Sequence, residues 1–97
     1  MKICKNLNGS ELTIKLEGRL DTITSPDLEK ELGDLNGINS MILDFKNLEY
    51  ISSAGLRILL SCQKKMNAQG TMVIKNARSE IKDVFDMTGF SDILTIE

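Results

Sequence analysis

Two adjacent serines, Ser52 and Ser53, are the residues of this chain whose type and position could carry chemistry. They follow a predicted buried strand and a short loop, and they precede a segment with helical periodicity. A serine hydroxyl at the start of a helix can cap free backbone N–H groups, or it can carry a group that the positive end of the helix stabilises. One of the two serines is expected to cap the helix, although a cap needs only one of them.

Gly55 lies in the first turn of the same predicted helix. Glycine is locally unfavourable in a helix, but it lets another backbone or side chain approach closely. A glycine here therefore indicates a slim surface that could serve for docking.

The chain contains no histidine. This absence removes the commonest general base, the Ser-His and Cys-His nucleophile pairs and most zinc sites. Cys4 and Cys62 lie far apart and fit no metal-ligand spacing, and both are predicted to be reduced, buried thiols because each lies in an apolar stretch. We therefore predict a protein that is not an enzyme and that uses no cofactor or metal.

The length of 97 residues predicts a single domain over residues 1–97. A net charge of −2, from 12 basic and 14 acidic residues, provides no basic surface for nucleic acid. No apolar run approaches the ~20 residues that span a bilayer, and residues 1–6 lack the pattern of a signal peptide. We expect a cytoplasmic protein without direct contact to nucleic acid or membrane.

The hydrophobic pattern predicts the element order ββαβαβαβ. An antiparallel hairpin turns at Asn8-Gly9, and Gly18 ends its second strand. The nearly continuous apolar run 41–45 is interpreted as a central strand covered on both faces, followed by a loop over 46–51. Further strands are predicted at 71–74 and 93–96. The expected architecture is an α/β fold, a mixed sheet with helices packed on it.

Capping residues mark the three predicted helices. Ser25 is predicted to cap the first, with Pro26 at its first helical position. The second begins near Ser52-Ser53 and ends near residue 68. Because sites in open α/β sheets form where strands end and helices begin, we expect the site in the loop between Phe45 and Ser53.

The third helix is predicted to begin with Ser79 as its cap. Gly89 stands where a left-handed C-terminal cap is needed, and Phe90 follows where the accompanying apolar contact falls. Core packing and capping are the simpler explanation for Met87 and Phe90; the alternative is a sticky surface patch.

The segment YISSAGLR at residues 50–57 resembles the signature of STAS domains, the family of bacterial anti-sigma factor antagonists. Alignment on Gly55-Leu56 places Ser53 at the phosphorylated serine of that family and Ser52 at its usual aspartate. The segments LEGRLD at 16–21 and VFDMTGF at 84–90 resemble two further motifs of the family, in the right order. Together they cover nearly the whole chain.

The resemblance implies a binding protein, monomeric when free, that works by partner switching. The unphosphorylated form would bind an anti-sigma factor that is also a serine kinase; phosphorylation on Ser53 would break the complex, and a PP2C-type phosphatase would reset it. The residues expected to bind the partner are Asp21, Thr22, Thr24, Glu49, Ser52, Ser53, Gly55 and Arg57. An alternative is a STAS module that regulates a PP2C phosphatase pathway or senses a small ligand, without control of a sigma factor.

Asp21 has two interpretations. An aspartate after a strand often orders the following turn by accepting hydrogen bonds from its own backbone. The resemblance instead places Asp21 on the binding rim beside the phosphorylatable serine, with Thr22 and Thr24 in the same loop.

Overall fold

The computed structural model describes residues 1–97, which form a four-stranded mixed sheet with helices packed on it. The strands are β1 (Lys2–Asn8), β2 (Glu11–Leu20), β3 (Ser40–Ile51) and β4 (Thr71–Lys75). The helices are α1 (Ser25–Glu31), α2 (Ser53–Asn67) and α3 (Ser79–Thr88), and a short 3-10 helix, Phe90–Asp92, follows. The predicted α/β fold class is confirmed. No helix is both long and apolar enough to cross a membrane.

The sheet follows the order of the chain, β1-β2-β3-β4. β1 pairs antiparallel with β2, as the Asn8-Gly9 turn predicts, and β2, β3 and β4 run parallel. Because each parallel strand is added on the same side and crossovers are right-handed, α1 and α2 cover the same face of the sheet. The carboxyl ends of β2 and β3 therefore meet at the edge where α1 and α2 begin.

The core lies between this covered face and the helices. The strand register aligns buried side chains into two rows across the sheet, Leu12–Met41–Met72 and Ile14–Leu43–Ile74. The residues between them, Thr13, Ile42 and Val73, are only half-buried on the opposite face. The prediction that 41–45 is covered on both faces is therefore wrong, because one face of the sheet remains open.

β3 continues through the segment 46–51, which the sequence predicts to be a loop. Alternating burial stops at Phe45, and the next buried residues are Leu48 and Ile51, each three positions further on. The pairing of β2 with β3 shifts register twice over the same stretch. Such irregularities are typical of bulges, and they remove the period of two by which a strand is recognised.

β2 likewise runs past its predicted end. Gly18 lies inside the strand with φ of +99°, a conformation that L side chains rarely adopt, and β2 continues to Leu20. The extension carries both neighbouring strands to a common edge, where Leu20 pairs with Ile51.

Two of the predicted helix caps are wrong. Thr24, and not Ser25, is the N-cap residue of α1; Ser25 is buried, and its hydroxyl donates to the carbonyl of Asp21. Arg78 precedes α3, and the Ser79 hydroxyl donates to the Glu80 carboxylate, so it caps no backbone group. Gly89 does adopt the predicted left-handed conformation, with φ of +80°.

The C-terminal end departs from the prediction of a fifth strand. Residues 93–96 form only one bridge, in which Ile96 pairs with Ile74 of β4. Phe90 packs partly against the core, but Met87 is 87% exposed, so core packing does not explain it.

The two cysteines differ in environment. Cys62 is buried on α2, and burial raises the pKa of its thiol to about 11, as expected of a core cysteine. Cys4 is exposed on the edge strand β1, which contradicts the prediction that both thiols are buried.

Candidate functional site

The start of α2 separates the roles of the two serines. Ser52 is the N-cap residue, with an extended backbone, and its Oγ accepts a hydrogen bond from the N–H of Gly55 at 3.4 Å. Ser53 is the first helical residue, and its exposed hydroxyl makes no hydrogen bond within the protein. Ser52 thus takes the expected capping role, and the Ser53 hydroxyl stays free at the positive end of a helix.

A backbone contact holds this junction against the end of β2. The N–H of Ser52 donates to the carbonyl of Leu20 at 2.9 Å, directly beyond the pairing of Leu20 with Ile51. Because Asp21 follows Leu20 and Ser53 follows Ser52, the contact brings the Asp21 loop next to the free hydroxyl.

The Asp21 loop is ordered by its own side chains. Oδ1 of Asp21 accepts hydrogen bonds from the N–H groups of Ile23 and Thr24, both at 3.0 Å. The Thr24 hydroxyl accepts from the Asp21 N–H at 2.9 Å and donates to the Arg19 carbonyl at 2.7 Å. The interpretation that Asp21 orders the turn is confirmed, and Thr24 serves the same purpose.

The hydrogen bonds keep Asp21 ionised. The N–H of Thr24 is the largest influence that lowers the pKa of the Asp21 carboxyl; the N–H of Ile23, the Thr24 hydroxyl and the charge of Arg19 act in the same direction and outweigh desolvation. The side chain of Asp21 is 27% exposed, so it presents a fixed negative charge at the rim of the junction.

Arg19 links this loop to β3. Its Nε lies 3.8 Å from Oδ2 of Asp21, and its guanidinium carbon lies 4.1 Å from the centre of the Tyr50 ring. Arg19 and Tyr50 are also paired across β2 and β3. A cation over an aromatic face is attracted by the ring, so Arg19 connects the ends of β2 and β3 through non-covalent contacts.

Gly55 faces inward. A Cβ atom built on Gly55 would lie 2.7 Å from Cγ of Leu20 and 3.0 Å from Cγ1 of Ile51. The glycine is buried and lets α2 pack directly on the ends of β2 and β3. Its interpretation as part of an exposed docking surface is therefore wrong: Gly55 positions the helix and does not itself face a partner.

The remaining predicted residues surround the junction. Thr22 and Arg57 are exposed and line one shallow groove between α1 and α2. Glu49 is exposed near the end of β3, and none of the four ion pairs of the domain includes it. Thr24 is half-buried, since its hydroxyl is engaged inside the loop.

The model of one family, the STAS domain, matches residues 3–97. The chain belongs to the STAS domain family. Among its relatives is BtrV of Bordetella bronchiseptica, which carries the provisional name of an anti-sigma factor antagonist. BtrV is 31% identical in an alignment of 99 positions that covers 99% of this chain and 85% of BtrV. The anti-sigma-B factor antagonist of Staphylococcus epidermidis is 28% identical in an alignment of 100 positions that covers 94% of this chain and 93% of that protein.

Solved structures show the same fold. The anti-sigma factor antagonist SpoIIAA in its unphosphorylated form superposes with a TM-score of 0.79 at 17% identity, over 99% of this chain and 87% of SpoIIAA. The phosphorylated form of SpoIIAA from Bacillus gives a TM-score of 0.78 at 17% identity, over 99% of this chain and 91% of SpoIIAA. The STAS fold predicted from three sequence segments is thus confirmed.

One residue of this STAS domain's junction escaped sequence reasoning. Ile23 is 85% exposed at the tip of the Asp21 loop, and its N–H is held by the Asp21 carboxylate. A large apolar side chain on a pre-ordered loop is a surface that a partner can bury at little entropic cost. The sequence does contain a hint of this exposure. Ile23 stands between two threonines, and it continues neither the alternating apolar pattern of the preceding strand nor the helical apolar pattern that follows.

Proposed function

We propose that this STAS domain is an anti-sigma factor antagonist that binds a serine kinase in its unphosphorylated form and is released by phosphorylation on Ser53. The observation that carries the proposal is that Ser52 and Ser53 have different roles at the start of α2. Ser52 caps the helix, whereas Ser53 offers an exposed hydroxyl without an internal partner. The names of BtrV and of the staphylococcal relative support this assignment.

In this proposal the kinase catalyses the reaction, and the STAS domain is its substrate. The kinase transfers the γ-phosphoryl group of ATP to Oγ of Ser53, ADP leaves, and the hydroxyl proton is lost. A histidine-free site beside Ser53 has no general base of the usual kind, so the domain acts as substrate and binding partner. A PP2C-type phosphatase would hydrolyse the phosphate and return the domain to its binding form in the cytoplasm.

The phosphate acts at the interface and leaves the fold intact. It adds about −1.5 to −2 charges at neutral pH, which the N-terminus of α2 favours. The carboxylates of Asp21 and Glu49 oppose it. Because Ser53 is exposed and its hydroxyl holds no internal hydrogen bond, the modification breaks no contact of the folded state.

The proposed contact surface combines a rigid apolar tip with a polar rim. Ile23 supplies the apolar contact, Asp21 supplies a charge in the same loop, and Thr22 and Arg57 line the groove between α1 and α2 next to the start of α2. A partner that fits closely over Ser53 has no room for a phosphate and no water to solvate it. Release on phosphorylation follows from this combination of steric and electrostatic conflict.

Binding to a candidate kinase from the same genome tests the proposal. Three forms of the domain are compared by calorimetry: the unmodified domain, the domain with phosphoserine installed at position 53, and a control with phosphoserine at the exposed position 61 of the same helix. We expect phosphoserine at 53 to weaken binding at least tenfold and phosphoserine at 61 to leave it nearly unchanged. Equal binding of all three forms would overturn the phosphorylation switch. If the kinase binds this domain but binds no sigma factor, the domain would instead be assigned to the regulation of a phosphatase pathway.

A further inference from the structure

Arg57 lies four residues after Ser53 on the exposed surface of α2. Residues at this spacing are neighbours on a helix surface. Because helical side chains lean toward the N-terminus, the long Arg57 side chain has the reach to turn back toward the first turn of α2, which begins with Ser53.

The guanidinium of Arg57 is not engaged elsewhere in the protein. None of the four ion pairs of the domain includes it. Glu29 of α1 lines the same groove, yet the two side chains form no ion pair. The other basic residue at the junction, Arg19, is already held by Asp21 and Tyr50.

We propose that Arg57 holds the phosphate of phosphorylated Ser53 within the same helix, as a positioning residue for the released state. The inference rests on the proposed function, because it concerns the phosphorylated form. A guanidinium presents its N–H donors in a planar fork that matches phosphate oxygens, and such charge-assisted hydrogen bonds are among the stronger ones. The free N–H groups at the start of α2 face the same phosphate.

The carboxylates near the junction repel a phosphate on Ser53, so a nearby cation matters for the phosphorylated form. The carboxylates of Asp21, in the neighbouring loop, and of Glu49, near the end of β3, disfavour a dianion at this end of the domain, and Glu29 adds a third carboxylate in the groove shared with Arg57. Arg57 is the free cation that offsets them. Without it, the phosphate would be held by helix N–H groups alone.

The pairing gives phosphorylation a second effect on the interface. In the unmodified domain Arg57 is free for an acidic group of the partner. In the phosphorylated domain the same guanidinium is occupied in cis, so the partner meets an added negative charge and also loses a positive contact. One modification therefore changes two elements of the rim.

Titration of the phosphate by ³¹P NMR tests the pairing. Phosphoserine is installed at position 53 during translation, so no kinase is needed, in the wild type, Arg57→Gln, Arg57→Lys and the control Lys64→Gln. Lys64 is exposed on the same helix and carries the same charge, but it lies eleven residues from Ser53. We expect Arg57→Gln to raise the second pKa of the phosphate by about 0.2–0.4 and Lys64→Gln to leave it unchanged.

If Arg57→Lys keeps the phosphate pKa between the values of the wild type and Arg57→Gln, a positive charge at position 57 accounts for part of the pairing. The rest of the difference then reflects the planar hydrogen-bond donors of the guanidinium. Equal pKa values in Arg57→Gln and Lys64→Gln would overturn the pairing and leave the kinase switch intact. A raised pKa in Arg57→Gln together with no kinase binding in any form would leave the pairing intact and overturn the proposed function. The two failures are thus distinguishable.

Discussion

The backbone N–H of Ser52 donates a 2.9 Å hydrogen bond to the carbonyl of Leu20, and this contact joins the end of β2 to the start of α2. It follows directly on the pairing of Leu20 with Ile51. The next residue along each segment is functional in our account: Asp21 orders the loop, and Ser53 presents the hydroxyl. A single backbone contact therefore places two chain segments, about 30 residues apart, at one rim.

The two serines should separate in their effects on stability and on modification. Ser52→Ala removes the cap on Gly55, so we expect the free energy of unfolding to fall by about 0.5–1 kcal/mol. Ser53→Ala removes no internal contact and should change it by less than about 0.5 kcal/mol. Urea denaturation followed by circular dichroism measures both. A larger loss for Ser53→Ala than for Ser52→Ala would show that the capping roles are reversed.

Gly55→Ala should destabilise the domain although alanine is the better helix former. The added methyl would lie 2.7 Å from Cγ of Leu20, so either the buried Leu20 side chain or α2 must shift to make room for it. We expect a net loss of about 1–3 kcal/mol in the free energy of unfolding, again from urea denaturation.

Leu20→Ala provides the control for this steric argument, because it removes the atom that lies nearest to the new methyl and leaves only the 3.0 Å approach to Cγ1 of Ile51. In the Leu20→Ala background, Gly55→Ala should become neutral or stabilising, up to the helix-propensity difference of about 1 kcal/mol. If Gly55→Ala costs the same in both backgrounds, contact with Leu20 is not the reason for the glycine.

Much of the fold could be predicted because its local signals agree with its packing. The Asn8-Gly9 turn, the alternating residues of β2 and the Gly89 cap each correspond to the structure. The second half of β3 could not be predicted, because its bulged pairing with β2 spaces Phe45, Leu48 and Ile51 three residues apart. A spacing of three has neither strand nor helix period over so few residues.

The candidate site was predicted in part, and the errors have a common cause. Ser52 and Ser53 could be assigned to the start of α2, but sequence alone could not decide which hydroxyl would be free. Ser25 resembles a cap in sequence, yet the Asp21 carboxylate and the Thr24 hydroxyl already order the start of α1. Gly55 was assigned to the wrong side of its helix because the distance to Leu20 depends on tertiary packing.

Ile23 should contribute strongly to partner binding and little to folding. Ile23→Ala removes an 85% exposed side chain from the rigid loop tip, and we expect kinase affinity to fall by about 1–2 kcal/mol, roughly 5- to 30-fold. Met87→Ala is the matched control, because Met87 is also a large hydrophobic side chain and is 87% exposed, but it lies on α3. Calorimetric titration with the kinase measures both variants. Equal losses, or none for Ile23→Ala, would remove the loop tip from the interface.

Asp44 should make the domain sensitive to acid. Desolvation acts to raise the pKa of its carboxyl, but the N–H of Lys46, the amide of Asn76 and the charges of Lys15 and Lys46 outweigh it and lower the pKa. A lowered folded-state pKa means that this stabilisation is present above about pH 4, the pKa of an unfolded aspartate, and is lost as the pH falls through the folded-state value.

Thermal melts between about pH 2 and pH 6 test this effect. In Asp44→Asn the melting temperature should fall less than in the wild type as the pH is lowered, because the amide cannot titrate and still accepts hydrogen bonds. Asp83→Asn, an exposed carboxylate of α3 outside the ion pairs, is the control and should retain the wild-type slope. Identical acid slopes for Asp44→Asn and the wild type would contradict the assignment.

The role of Ser53 is tested most directly by mapping phosphate after incubation of the purified domain with ATP, magnesium and the proposed serine kinase partner. We expect one phosphate per chain, on Ser53, by intact-mass and peptide mass spectrometry. Ser53→Ala should take up none, and Ser52→Ala should still be modified. A phosphate on Ser52, or no phosphate on a domain that binds the kinase tightly, would contradict the claim that the free hydroxyl of Ser53 is the switch.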